Sequence, residues 1–264
     1  MKSPCFTLIL FHVWVSSTPP LLSFSFDLTY TDICAWQNKL ACHGHIYLGE
    51  HQGWYAVSDE AFYPESQICA TKQQSGSSSE TVYTSIETGQ RVEWTTETNY
   101  KFRLSAFQQP LLDWLENNRE VIQPSNMYDH VLAEVRSGLQ DLSISRLRSR
   151  LSWGIPVPGD PQHTMYVWMD ALVNYMTALG YPDMQPGWPA DVHIVGKDIV
   201  RFHAIYWPAF LMAAGLPLPR TIVAHSHWTV NKAKMSKSKG NAINPFQALH
   251  TYGVDTMRYY LMRI

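Results

Sequence analysis

The sequence predicts an α/β protein whose second half is built on a parallel sheet, and three observations carry that expectation. First, beyond residue 160 strand-like and helix-like runs alternate. Met165–Trp168 reads as a strand, Asp170–Leu179 as a helix, Val192–Val195 as a strand, Ile199–Ala214 as a helix and Thr221–Ala224 as a strand. A β-α-β-α-β order implies parallel strands with helices packed over them, because parallel neighbours need a crossover. Second, the composition can fill a core: of 264 residues 45% are hydrophobic and 13% aromatic, with 10 Trp and 14 Tyr. Third, the Pro- and Gly-rich stretch Trp153-Gly-Ile-Pro-Val-Pro-Gly-Asp-Pro separates this half from a first half of different texture.

In that first half, Asp32–His45 carries Ile33, Trp36 and Leu40 at helical spacing. Ile46–Val57 alternates and reads as two short strands around Gly49 to Gly53, and residues 71–80, rich in Ser and Gln, read as a loop. Arg91–Trp94 and Asn99–Leu104 look like strands returning to a compact insert. Phe107–Asn117 and Tyr128–Gly138 have the spacing of helices, and the stretch 153–161 is expected to be irregular.

Charge narrows the function. Charged residues make up 16% and the net charge is −2, which excludes a disordered polyelectrolyte and a chain with a global basic field. The local basic patch is Lys232–Lys239. The cysteines, Cys5, Cys34, Cys42 and Cys69, form no CxxC pair and no zinc spacing, and free thiols fit a reducing compartment. The apolar run Cys5–Val15 is too short to span a membrane, and no membrane partner is expected. It has the shape of a signal-peptide core, whereas a mitochondrial transit peptide should be Arg-rich and the first arginine is Arg91.

Inside the basic patch stands Lys234-Met235-Ser236-Lys237-Ser238. Ammonium groups on a closing loop can neutralise charge developing on a nucleotide α-phosphate and steady the departing pyrophosphate. A solvated basic loop is the plainer alternative, but the string follows the strand–helix alternation. This is the KMSKS signature of class I aminoacyl-tRNA synthetases. Several further segments resemble the methionyl-tRNA synthetases: Ile46-Tyr-Leu-Gly-Glu with Gly53-Trp-Tyr, Trp153–Asp160, Tyr166-Val-Trp-Met-Asp-Ala-Leu-Val-Asn-Tyr, Val195-Gly-Lys-Asp-Ile-Val-Arg-Phe-His and His225-Ser-His-Trp-Thr-Val. The resemblance runs from about residue 31 to the end, and its variants are most similar to the mitochondrial type.

The resemblance implies the second half of a Rossmann-type parallel sheet with an inserted connective-peptide domain. It divides the chain into an unmatched segment 1–30, an insert with flanking helices at 31–158, the second half of the nucleotide-binding domain at 159–228, and the KMSKS loop with the start of a helical region at 229–264. The implied activity is methionine–tRNA ligase: L-methionine is activated with ATP, accompanied by Mg2+, and transferred to tRNA(Met) in the mitochondrial matrix. Lys234 and Lys237 are the implied catalytic residues.

Methionine needs an apolar, aromatic pocket that suits sulfur. Trp168, Ala171, Leu172 and Tyr175 share one helix face, and Ile199, His203 and Trp207 share another, four apart each time. Such stripes are ordinarily core; by resemblance these seven line the methionine pocket, with Tyr175 and His203 near the sulfur. Many relatives have Pro where this chain has Leu172. Gly196-Lys197-Asp198 lies at a strand-to-helix turn, where a carboxylate can hold ribose hydroxyls, although Asp198 also suits a helix cap. The resemblance adds His225, Trp228, Met235, Ser236 and Ser238 to the ATP site.

Two departures stand out. The family's HxGH signature is expected upstream, and Cys42-His43-Gly44-His45 lacks its intervening residue. The first strand, the HxGH loop and the helical anticodon-binding region are expected to be missing, leaving weak methionine binding and no aminoacylation. A non-catalytic synthetase-derived RNA-binding or regulatory fragment is the alternative. The insert has Ala56 and Ala61 where many relatives carry CxxC pairs, so no zinc is expected.

Overall fold

The computed structural model describes residues 26–264 except 57–60, 64, 66–67, 76–77, 87–88, 151–152, 184–186, 227–228, 231–232, 236–242 and 263–264. The described residues begin with helix α1 (Phe26–Cys42), which buries Trp36 and Leu40. Gly44 turns it, with φ +72°, into strand β1 (Ile46–Ala56). The expectation of two strands here is corrected, because β1 is one strand. It pairs in unbroken antiparallel register with β5 (Glu93–Phe102), so Gly49 faces Asn99 and Gly53 faces Thr95. A continuous ladder supplies the hydrogen bonds that hold both glycines extended.

Strand β2 (Ala61–Tyr63) flanks β1. The expected loop at 71–80 is also corrected. Its described residues belong to a hairpin of β3 (Ile68–Ser75) and β4 (Ser78–Ser85), paired from Ile68↔Ser85 to Ser75↔Ser78. Polar composition suggested a loop, but backbone pairing does not need apolar side chains.

After β5 a short 3-10 turn at Leu104–Phe107 leads into α2 (Gln108–Asn117), β6 (Ile122–Gln123) and α3 (Ser125–Arg136). Leu111 and Leu115 on α2 and Val131 and Val135 on α3 are buried, as the helical spacing requires. Next come β7 (Leu142–Ser143), β8 (Ser145–Leu147), β9 (Pro156–Val157) and β10 (Asp160–Met165). The irregular stretch expected at 153–161 therefore contributes two strands. The strand expected at Met165–Trp168 ends at Met165 and runs antiparallel to β8 and β9, outside the parallel sheet.

Helix α4 (Val167–Thr177) begins three residues earlier than expected, directly behind β10. The parallel sheet has the order β11–β12–β6, with β11 at His193–Gly196 and β12 at Ile222–His225. Its third strand is thus β6, from before residue 158. Between β11 and β12 the expected helix 199–214 is present but not uniform. A 3-10 turn at Lys197–Ile199 is followed by a π-helical turn at Phe202–Tyr206 and then α5 (Trp207–Ala213).

The hairpin β13 (Thr229–Val230) and β14 (Ala233–Lys234) precedes α6 (Pro245–Tyr252) and α7 (Val254–Met262). Asn244 caps α6: its Oδ1 accepts from the Phe246 N–H at 2.9 Å and the Gln247 N–H at 3.4 Å, and Pro245 fills the first helical position. One core cluster runs from Trp36 through α2, α3 and α4 to α5 and β12. No helix among the described residues is long and apolar enough to cross a membrane.

Candidate active site

The parallel sheet sets the site. In the pairing of β11 with β12, Gly196 is the register partner of His225. Two of the residues selected for nucleotide binding therefore sit side by side at the carboxyl ends of neighbouring strands, where an open α/β sheet binds its ligand. Lys197 and Asp198 follow in the 3-10 turn and both are exposed. The exposed His225 ring sets Nδ1 2.9 Å from the Ser226 carbonyl.

Helix α4 and the π-helical segment face each other beside these strand ends. Trp168 stacks on Phe202 with ring centroids 3.8 Å apart. One helix turn deeper Leu172 is buried. Deeper still, Tyr175 Oη and His203 Nε2 are 2.8 Å apart. The other nitrogen of His203, Nδ1, lies 2.9 Å from the Ile199 carbonyl, which can only accept. Nδ1 therefore carries the proton, Nε2 accepts, and Tyr175 donates. Burial keeps His203, 0% exposed, neutral by lowering its pKa, and pushes the Tyr175 hydroxyl above the ordinary tyrosine range.

The π turn bears on this geometry. The Trp207 N–H donates to the Phe202 carbonyl, five residues back. Ile199, His203 and Trp207 stand four apart, from the 3-10 turn before the π turn to the first residue of α5 after it. Trp207 is 0% exposed, and its ring lies 6.3 Å from Tyr175 and 5.9 Å from both Trp36 and Trp188.

The structure thus joins Tyr175, Ile199, His203 and Trp207 through direct contacts, whereas Trp168 stacks with Phe202, and through it meets Tyr206, in a separate ring group on the same two segments. Ala171 is half-buried on α4 among them. Of the lysine-rich signature, Lys234 ends β14 and Met235 is half-buried; the Lys234 side chain, Ser236, Lys237, Ser238 and Trp228 lie outside the described residues. Trp188 and His193 belong to the ring system of Tyr175, His203 and Trp207, Phe202 stacks on Trp168, and none of the three was selected from the sequence. His193 stands 4.5 Å from Tyr175, centroid to centroid, and burial followed by the neighbouring His203 pushes its pKa down to about 3. No periodic stripe includes these three, because each reaches the pocket from a different segment.

A second polar cluster braces α4 from β1 and β8. Arg146, 1% exposed, donates from Nη1 to Tyr55 Oη and from Nη2 to Tyr166 Oη, both at 2.7 Å, and Tyr166 is the residue before α4. Buried Glu97 pairs with Arg150 at 2.7 Å. The described residues contain no group of three or more His, Cys, Asp or Glu that could hold a metal ion.

Residues 33–264 match the family model for tRNA synthetases class I (M). The chain is 54% identical over 231 residues to a probable mitochondrial methionine–tRNA ligase of Schizosaccharomyces pombe, covering 83% of this chain and 42% of that protein. It is 51% identical over 226 residues to the human mitochondrial methionine–tRNA ligase, covering 85% and 38%. Among solved structures, Mycobacterium tuberculosis methionyl-tRNA synthetase bound by methionyl-adenylate matches with TM-score 0.78 and 43% identity, covering 89% of this chain and 45% of that one. The chain spans about two fifths of the length of these curated relatives. Parallel sheet and family model agree, and the chain belongs to the class I tRNA synthetases of the methionine group.

Proposed function

We propose that this chain supplies the methionine pocket and part of the ATP site of a methionine–tRNA ligase acting in the mitochondrial matrix. The observation that carries this reading is the Tyr175–His203 hydrogen bond closing the inner end of an aromatic pocket beside Gly196 and His225. Trp168, Ala171, Leu172, Ile199 and Trp207 give that pocket apolar, polarisable walls suited to a thioether. The naming of the relatives as mitochondrial methionine–tRNA ligases supports both the substrate and the location.

In the proposed reaction the methionine carboxylate attacks the α-phosphate of ATP. The bond to the β-phosphate oxygen breaks, pyrophosphate leaves and methionyl-adenylate forms. A hydroxyl at the 3′ end of tRNA(Met) then takes the acyl group and AMP departs. Gly196, Lys197 and Asp198 hold the ribose side, and His225 with Trp228 holds the base. Lys234 and Lys237, carried on a loop with Met235, Ser236 and Ser238, neutralise the triphosphate charge as it shifts. Mg2+ bound with ATP would share with Lys234 and Lys237 the neutralising of the triphosphate charge. The insert is read as holding no structural zinc, and elemental analysis finding one zinc per chain would overturn that.

ATP–pyrophosphate exchange by the full chain, with methionine and each other amino acid in turn, tests the reading. Methionine-dependent exchange, or methionine binding by calorimetry without exchange, supports the pocket assignment. Preference for a different amino acid, or no methionine binding, overturns it.

A further inference from the structure

The polar atoms at the inner end of the pocket extend beyond the residues that the motifs select. His193 opens β11 and is 4% exposed. The sheet fixes its backbone: its N–H donates to the Thr221 carbonyl at 2.8 Å, and it stands in register with Ile222. Its ring meets Tyr175 edge-on, at 61° and 4.5 Å, and lies 6.0 Å from the ring of His203. Its Nε2 is sealed from solvent and has no hydrogen-bond partner among the described residues.

Depth places these groups at the floor. Gly196, at the carboxyl end of β11, lies about 10 Å further along the strand at about 3.3 Å per residue. Trp168 precedes Tyr175 by seven residues of α4, again about 10 Å at roughly 1.5 Å per residue. The mouth is therefore at Trp168 and Gly196, and the floor at Tyr175, His203 and His193.

The floor's polar hydrogens are unequally engaged. Tyr175 gives its proton to His203 Nε2, and His203 gives its Nδ1 proton to Ile199. His193 Nε2 remains, together with the Trp207 indole N–H, which also lacks a partner among the described residues. A buried nitrogen without a partner carries a desolvation penalty that a phenyl ring in the same place would not. Such a cost calls for a reason in the bound state.

We propose that His193 is a specificity-determining residue of the pocket floor, presenting its free imidazole nitrogen to the end of the substrate side chain and favouring a sulfur there over a methylene. Sulfur is polarisable and a weak hydrogen-bond acceptor, so a neutral imidazole N–H and a ring edge both interact with it, whereas a methylene offers nothing to the nitrogen. The inference rests on the reading of this pocket as the methionine site.

Thermal-shift titrations of the full chain with L-methionine and L-norleucine, which replaces the sulfur by a methylene, test it. In the unmodified chain methionine is expected to act at the lower concentration. In His193→Phe the ratio of the two apparent affinities is expected to fall about tenfold, the loss expected when a site's polar partner is removed. In His193→Gln, which keeps an N–H donor, the ratio is expected to stay close to the original. His193→Leu and His193→Asn make the same comparison if the Phe variant does not melt cooperatively. An unchanged ratio in the apolar variants overturns the proposal, and so does an equal loss in the amide variants. An unmodified chain that fails to distinguish methionine from norleucine overturns the pocket reading, and this inference with it.

Discussion

The proton between Tyr175 and His203 has a fixed direction because the Ile199 carbonyl leaves His203 only one way to use its two nitrogens. Removing the tyrosine hydroxyl strands Nε2 in a site that water does not reach. Tyr175→Phe is therefore expected to destabilise the chain by about 1–3 kcal/mol and to weaken methionine binding, which thermal denaturation and calorimetry would measure. A melting temperature equal to that of the unmodified chain would show that another group takes over the acceptor. Both residues were legible in the sequence, as polar members of apolar stripes. Their bond was not, because they stand 28 residues apart and meet only when α4 packs against the π-helical turn. His193 gave less warning still: one histidine in a four-residue strand carries no periodic signal.

At the scale of elements, the contrast lies between helices and the insert's strands. Helices α2, α3 and α4 follow their apolar spacing closely, since the 3.6-residue repeat is a local property. The single long β1 departs from the expectation because pairing with the remote β5 fixes it, and the hairpin of β3 and β4 departs because backbone pairing can hold a polar run that composition marks as a loop. The stretch 153–161 shows how narrow the tolerance of such pairing is. Gly154 has φ +135°, and a Cβ there would lie 2.6 Å from Thr164 Cγ2, on a residue 1% exposed in β10. Gly154→Ala must accept both the backbone strain and the clash. It is expected to cost about 1–3 kcal/mol, read as a lower denaturation midpoint. Gly159→Ala is the control, with a similarly left-handed φ of +80° but open space around its Cβ. Gly154→Ala should lose more than Gly159→Ala, through the clash and the greater backbone strain at +135°, and equal losses would refute the contact argument.

Across the whole molecule, burial of titratable groups couples stability to pH with opposing signs. His193, at about 3, and His203, also lowered, stay neutral when folded and protonate near 6.5 when unfolded. Their contribution is complete above pH 6.5 and is lost as pH falls toward the folded values, at up to about 1.4 kcal/mol per pH unit for each group. Asp170, raised by burial from 3.8 to about 6, acts the other way: its contribution is full below pH 3.8 and is lost as pH rises through 6. Asp170→Asn removes the opposing effect. It is expected to raise stability at pH 7–8 and to steepen the fall between pH 6 and 4, as urea midpoints across that range would show. Profiles that run parallel with and without the substitution would rule out this assignment.

Sequence alone determined the α/β class, the helices and the chemistry-bearing motifs, since each depends on residues close together in the chain. It also picked out the two helix faces that meet at Tyr175 and His203, because a stripe is visible without its partner. Tertiary structure alone decided that β6, from before residue 158, completes the parallel sheet and that β10 does not enter it. Strand order is set by hydrogen bonds between remote segments and leaves no trace in local patterning. For the same reason only the folded chain brings Gly196 beside His225, and sets Tyr175 between His203 and His193.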